Sequence, residues 1–140
     1  MVLIMTLDQL PTIALASSSS RRRQLLDLCG LAFKVCPPEG VEESSTGGEP
    51  REVALINASR KAMAVLPKVE PEDIVLGADT IVVLQGEIFG KPTGQHSAVE
   101  MLRRLSGREH AVMTAYTLIS KSAPRRDRVV TTRVRFRHLL

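Results

Sequence analysis

The chain has 140 residues, enough for one compact domain with a buried core. Hydrophobic content of 44% and charged content of 24% are ordinary for a globular protein, and three Phe, one Tyr and no Trp call for an aliphatic core. The net charge of +4 is spread along the chain, which suits a polyanionic small molecule as well as nucleic acid, so charge alone excludes neither.

Residues 1–12 read as an N-terminal extension, and residues 13–140 as a single mixed α/β domain without repeat or linker. Val2 to Ala16 is apolar and ends in Ala-Leu-Ala-Ser, like a signal peptide. A basic start is lacking, however, and Asp8 and Pro11 interrupt the run. No apolar segment is long enough to span a bilayer, so no membrane partner is expected. Cys29 and Cys36 have neither metal-ligand nor CxxC spacing. They are expected as reduced thiols of a cytoplasmic protein, a single disulfide being the alternative.

In chain order, Ile13 to Ala16 reads as a strand, the serines and arginines of 17–23 as a polar loop, and Leu25, Leu26 and Leu28 as a helix stopping at Gly30. Ala32 to Cys36 is a second short strand closed by Pro37 and Pro38. Glu39 to Glu49 is an acidic loop rich in Gly, Ser and Thr. Pro50 suits the first position of a helix whose apolar face is marked by Leu55, Ala58, Ala62 and Leu66. Ile74 to Leu84 is the strongest strand signal, interrupted by Gly77-Ala78-Asp79-Thr80. Gln85-Gly86 suggests a hairpin into Glu87 to Phe89. Ala98, Met101, Leu102 and Leu105 form an amphipathic helix ending at Gly107. Ala111 to Ile119 is another strand. Val130, Thr132, Val134 and Phe136 alternate with polar residues as a half-buried strand should.

Several segments could carry chemistry. Leu15 to Arg23 joins a strand end to a helix start, where hydroxyls, backbone N–H groups, guanidiniums and the helix dipole favour an anion. Taken alone, this run reads more readily as a serine N-cap followed by a solvated basic face. Asp79 lies in an otherwise apolar strand and must meet a cation, a metal or a strong donor there. It is a candidate base or metal ligand, or a structural Asp at a bulge or turn. Lys61, beside an apolar helix face, can bury its stem while its ammonium reaches a cleft. Lys91 sits in the stiff turn Gly90-Lys91-Pro92, which lacks the marks of a P-loop. Taken singly, each of these lysines is more simply a solvated one. Glu42 and Glu43 offer hard oxygen ligands, or a solvated acidic loop. Arg103, Arg104 and Arg108 compensate a helix C-terminus. His96, His110 and His138 show no metal or triad spacing and no Gly-x-Ser-x-Gly elbow is present, which counts against a serine or cysteine nucleophile.

Together these pieces resemble the Maf family of nucleotide pyrophosphatases. Leu15 through Leu26 follows the family's Leu-Ala-Ser-x-Ser-Pro-Arg-Arg-x-x-Leu-Leu, with Ser20 in place of the usual proline. Val41-Glu42-Glu43, Lys61-Ala62, Gly77-Ala78-Asp79-Thr80, Gly86-Glu87, Gly90-Lys91-Pro92 and Met101 to Gly107 come next in the family order. The resemblance implies an elongated, two-lobed α/β fold like that of the inosine triphosphate pyrophosphatases, with a nucleoside triphosphate held in the cleft. By motif, Ser17, Arg21, Arg22 and Thr80 would bind the substrate. Lys61 and Lys91 would neutralise charge at the scissile phosphate. Glu43 and Asp79 would hold a divalent cation, magnesium or manganese. Asp79 would also be the base for the attacking water, giving the nucleoside monophosphate and pyrophosphate without a covalent intermediate.

Gly-Ala-Asp-Thr and Arg21-Arg22 resemble the subgroup acting on dTTP, UTP and modified pyrimidine nucleotides. The 7-methyl-GTP subgroup, the alternative, tends to have Gly-Ser-Asp-Gln and a tryptophan at the position of Arg21. The family also implies an association with septum formation and a homodimer. Family members continue past Leu140 into a further helix and an Asp-Lys-Ala-Gly-x-Tyr-Gly-Ile-Gln-Gly segment. The resemblance thus implies that this chain lacks part of its cleft, exposes the strand at Val130 to Phe136, and has weak or absent catalysis of its own. Two other classes remain. A nucleic-acid-binding module should show stacking aromatics or one dense basic face, which the sequence lacks. A non-catalytic regulator of division would need only the folded surface.

Overall fold

The computed structural model describes residues 6, 10–44 and 48–139. Most of the expected N-terminal extension, residues 45–47 of the acidic loop, and Leu140 lie outside them. The described residues hold six strands: β1 (Ile13–Ala16), β2 (Phe33–Val35), β3 (Ile74–Leu84), β4 (Glu87–Phe89), β5 (Glu109–Ile119) and β6 (Arg126–Arg135). They also hold three α-helices: α1 (Ser20–Cys29), α2 (Pro50–Val65) and α3 (Gln95–Leu105). The sheet order is β2-β1-β3-β5-β6, with β4 hairpinned onto β3. β1 runs parallel to β2 and β3, and β5 runs antiparallel to β3 and β6. The mixed α/β domain expected from the sequence is therefore present.

Local chemistry explains most boundaries. Ser19 caps α1 by accepting the Arg22 N–H, and the helix stops before Gly30 as its sequence suggests. Pro50 occupies the first turn of α2, where its missing N–H costs nothing. Gln85 and Gly86 both take positive φ, at 52° and 82°, the conformation of a tight hairpin turn.

The helix α2 covers one face of the sheet. Its buried positions are Val53, Ala54, Asn57, Ala58, Lys61, Ala62 and Val65. This corrects the expected apolar face, because Leu55 and Leu66 are only half-buried. Small side chains at Ala54, Ala58 and Ala62 let the helix axis approach β3, and the larger leucines are displaced to the flanks. Gly77 completes that approach: a Cβ there would lie 2.3 Å from the Ala58 carbonyl oxygen and 2.8 Å from the Ala62 Cβ. On the opposite face, Leu105 and Met101 of α3 pack with Leu84, Phe89, Val82 and Phe136.

Two further expectations change. Gly77 to Thr80 does not interrupt its strand, since β3 pairs continuously with β5 and sets Asp79 opposite Ala115. Along β6, Val134 and Phe136 are half-buried as expected, but Thr132 is exposed and Val130 is 46% exposed. Val129, in the other phase, packs instead against the α2 side of the core. The reason is coverage: α2 backs Val129, while on the other face α3 packs with Phe136 at the far end of the strand, and Val130 and Thr132 join none of the core clusters among the described residues. The strand is an edge of the sheet in this order.

Candidate active site

Alternation along β3 sends Asp79 toward α2 and Thr80 to the other face. Asp79 is 5% exposed and is met from α2 by two side chains. Lys61 Nζ donates to its Oδ1 at 3.2 Å, and Asn57 Nδ2 donates to its Oδ2 at 3.0 Å. Lys61 and Asn57 are one helical turn apart on the same face, so both reach the same carboxylate. Each carboxylate oxygen keeps a second lone pair.

The Lys61 ammonium also donates to the Ala78 carbonyl at 3.3 Å and pairs with Glu43 Oε1 at 2.7 Å. Its stem is buried and its head reaches the cleft, as its place beside the apolar face suggested. Two carboxylates from separate segments thus converge on one cation. Lys61, backed by the more distant Lys91 and Arg22, holds the Glu43 carboxyl below the ordinary glutamate range against the opposing effect of its partial burial. Glu42 is exposed and makes no such pair.

Arg22 comes from the first turn of α1. Its Nη1 lies 3.4 Å from Ser17 Oγ, and its Nη2 donates to Thr80 Oγ1 at 3.2 Å. Ser17 is buried at the end of β1 and also accepts the Ser19 N–H at 3.1 Å. Burial pushes the guanidinium pKa down, and the charges of Asp79 and Glu43 pull it partly back. Arg22 remains a cation, since arginine stays protonated even when perturbed.

Ser17, Ser18, Ser19, Arg22, Glu43, Lys61 and Lys91 all line one small polar pocket of about 270 Å³. Beside it, between α1 and the sheet face turned away from α2, lies a larger open hollow of about 1320 Å³. That hollow is walled by Leu15, Leu25, Leu76, Tyr116 and Leu118, and it shares Ser18, Ser19 and Arg22 with the polar pocket. The convergent charges lie in the smaller pocket and not in the larger space.

The fold therefore gathers Ser17, Arg22, Glu43, Lys61, Asp79, Thr80 and Lys91. It does not bring in Arg21, which is exposed and lines only the larger hollow. Sequence reading missed Asn57, whose side chain bonds both Asp79 and the backbone of Ser44. The available signal was an amide inside the apolar stripe of a helix, where a polar group needs partners. Among the described residues, no three His, Cys, Asp or Glu side chains cluster as a metal site. Among the same described residues, no helix is long and apolar enough to cross a membrane.

The geometry suits a polyanion: three serine hydroxyls and the cations of Arg22, Lys61 and Lys91 line one small pocket with Glu43, and Asp79 joins it through Lys61. Comparison with known proteins agrees. A dTTP/UTP pyrophosphatase of Syntrophus aciditrophicus is 42% identical over 128 residues, 91% of this chain and 62% of the relative. One from Akkermansia muciniphila is 41% identical over 93% of this chain and 68% of the relative. One from Thermotoga maritima is 45% identical over 91% of this chain and 61% of the relative. The chain spans about two thirds of the length of these relatives. Among solved structures, the Ham1 protein of Staphylococcus aureus superposes with a TM-score of 0.60 at 16% identity, covering 87% of this chain and 70% of that one. A HAM1 protein from Coxiella burnetii gives 0.57 at 18% identity, covering 89% and 72%. At such identities these two likenesses speak for the fold alone. The Maf-like protein family matches residues 12–140, and on that match, with relatives 41–45% identical, the chain belongs to the Maf family.

Proposed function

We propose that this chain carries the phosphate-binding and catalytic part of a nucleoside triphosphate pyrophosphatase acting on dTTP, UTP and modified pyrimidine nucleotides. The observation that carries the reading is the convergence of Lys61 on Asp79 and Glu43 at the rim of a pocket lined by Ser17, Arg22 and Lys91. The names of the 41–45% identical relatives support the choice of nucleotides.

On this reading Ser17 and Arg22 grip phosphate oxygens, with the N-terminal turn of α1 adding its dipole. Thr80 holds the Arg22 fork in place from the sheet. Lys61 and Lys91 offset the negative charge that grows as the bond between the α- and β-phosphates breaks. Asp79 takes a proton from water as the water oxygen bonds to the α-phosphorus. Pyrophosphate leaves with the bridging oxygen, and the proton on Asp79 returns to solvent. The apolar hollow that shares Arg22 with the pocket gives the sugar and base a place to lie.

The donor set also fits a hard divalent cation, magnesium or manganese, because Glu43 and Asp79 already face one shared cationic point at Lys61. Glu43 and Asp79 would hold that ion, which supplies further charge neutralisation at the phosphates. Cys29 and Cys36 are both free thiols, which fits a reducing cytoplasm.

The test is pyrophosphate release from a panel of nucleoside triphosphates with magnesium or manganese, by the chain and its Asp79→Asn variant. Release from dTTP or UTP that the variant lacks is the expected result. A folded chain that releases pyrophosphate from none of these nucleotides overturns the proposal.

A further inference from the structure

We propose that Asn57 is a positioning residue that locks the loop carrying Glu43 onto Asp79, so that both carboxylates address Lys61 from fixed directions. This rests on the functional reading above and assigns a role to a residue whose side-chain bonds go to Ser44 and Asp79.

Asn57 is 2% exposed, and its carboxamide is fully engaged. Oδ1 accepts the Ser44 N–H at 2.8 Å, while Nδ2 donates to the Ser44 carbonyl at 2.8 Å and to Asp79 Oδ2 at 3.0 Å. Both amide hydrogens and one oxygen lone pair are therefore committed. The group has only one workable orientation. Turned over, it would set Nδ2 against the Ser44 N–H and Oδ1 against a carbonyl and a carboxylate.

The consequence is geometric. Ser44 adjoins Glu43, whose Oε1 lies 2.7 Å from Lys61 Nζ, and Asp79 Oδ1 lies 3.2 Å from the same nitrogen. Asn57 and Lys61 thus clasp the loop and the strand at two points from one helix face. Lys61 holds the side-chain ends, and Asn57 holds the loop backbone and the remaining carboxylate oxygen. The Glu43–Lys61 ion pair, whose acid is 40% exposed, is by itself a weak tie, and the buried bonds of Asn57 are the stronger one.

Two substitutions separate this role from simple packing. Asn57→Leu keeps the number of side-chain heavy atoms and the branch at Cγ, in a bulkier apolar form on an apolar helix stripe, and removes all three bonds. Asn57→Asp keeps an acceptor for the Ser44 N–H but gives Asp79 a carboxylate neighbour in place of a donor. The readouts are kcat and KM for pyrophosphate release from dTTP with magnesium, hydrogen exchange at the Ser44 amide, and thermal stability. Asn57→Leu should stay folded, lose Ser44 protection and lose kcat by about ten- to hundredfold with KM within about twofold. Asn57→Asp should retain Ser44 protection and still lose turnover. A folded Asn57→Leu variant with wild-type kcat overturns the proposal, as does one whose Ser44 amide exchanges as in the wild type. If the wild-type chain releases no pyrophosphate, the functional reading falls, and Ser44 exchange still decides the clasp. Should Asn57→Leu not fold, retained turnover in Asn57→Asp overturns the proposal.

Discussion

Gly77 and Ala58 pack backbone against backbone, so closely that a Cβ on Gly77 would stand 2.3 Å from the Ala58 carbonyl oxygen. This contact sets how near α2 lies to β3, and hence whether Lys61 and Asn57 can reach Asp79. Backbone cannot swing aside as a side chain can. Gly77→Ala should therefore fall at the upper end of the overpacking range, about 2–3 kcal/mol. That corresponds to a fall in Tm of roughly 5–10 °C for a domain of this size. Turnover should fall with it, because the pushed helix carries Lys61 away from Asp79. Calorimetry and the pyrophosphate assay check both effects; an unchanged Tm would mean that α2 slides freely on the sheet.

Gly107 offers the contrasting case. A Cβ there would lie 2.4 Å from His138 Cε1, but the obstacle is the end of a side chain. The lasting cost is the backbone, held at a φ of 67°. Gly107→Ala should cost about 1–2 kcal/mol, less than Gly77→Ala. It should leave turnover within about twofold, since nothing in the polar pocket touches this corner. Urea unfolding of the two variants side by side checks the order.

The contrast bears on what the sequence could reveal. Punctuation by Pro50, Gly30 and Gln85-Gly86 marked element ends because those residues act on local backbone. Asp79 was legible because a charge among apolar neighbours needs a partner, whereas Lys61, taken singly, read as solvated and stood out only through the order of the motifs. Asn57 was not, because its partners come from 13 and 22 residues away and only the docked helix brings them together. Arg21 and Arg22 are neighbours about 100° apart on a helix, and which one faces the pocket depends on how α1 sits. The phase of β6 was misread at Val130 for a related reason. Alternation identifies two faces but not how far along each of them a helix reaches.

Arg21 and Arg22 can be told apart by kinetics. Arg22 is braced by Ser17 Oγ and Thr80 Oγ1 at the pocket wall, whereas Arg21 is exposed and outside it. Arg22→Lys should raise KM for dTTP about tenfold or more, because a single ammonium cannot replace the braced fork. Arg21→Lys should change KM by less than about threefold. Equal effects would place both guanidiniums on the phosphates.

Lys61→Met keeps the length and most of the volume of the stem while removing the charge shared by Glu43, Asp79 and the Ala78 carbonyl. Turnover should fall by about a hundredfold or more, as expected on losing a preorganised cation. Asp79 would be left buried with Asn57 as its one side-chain donor among the described residues, which should destabilise the chain by about 1–3 kcal/mol near neutral pH. The variant should also change the acid limb of stability. Lys61 lowers the Glu43 pKa in the folded chain, so its stabilisation is complete above the unfolded value of about 4.3 and is lost as pH falls through the folded value. Glu43 is 40% exposed, so this share is about 1 kcal/mol or less. Urea midpoints measured between about pH 7 and pH 3 should therefore start lower in Lys61→Met and decline less steeply below about pH 4.3. A variant whose curve runs parallel to the wild type across that window would mean that Glu43 draws no folding stability from Lys61.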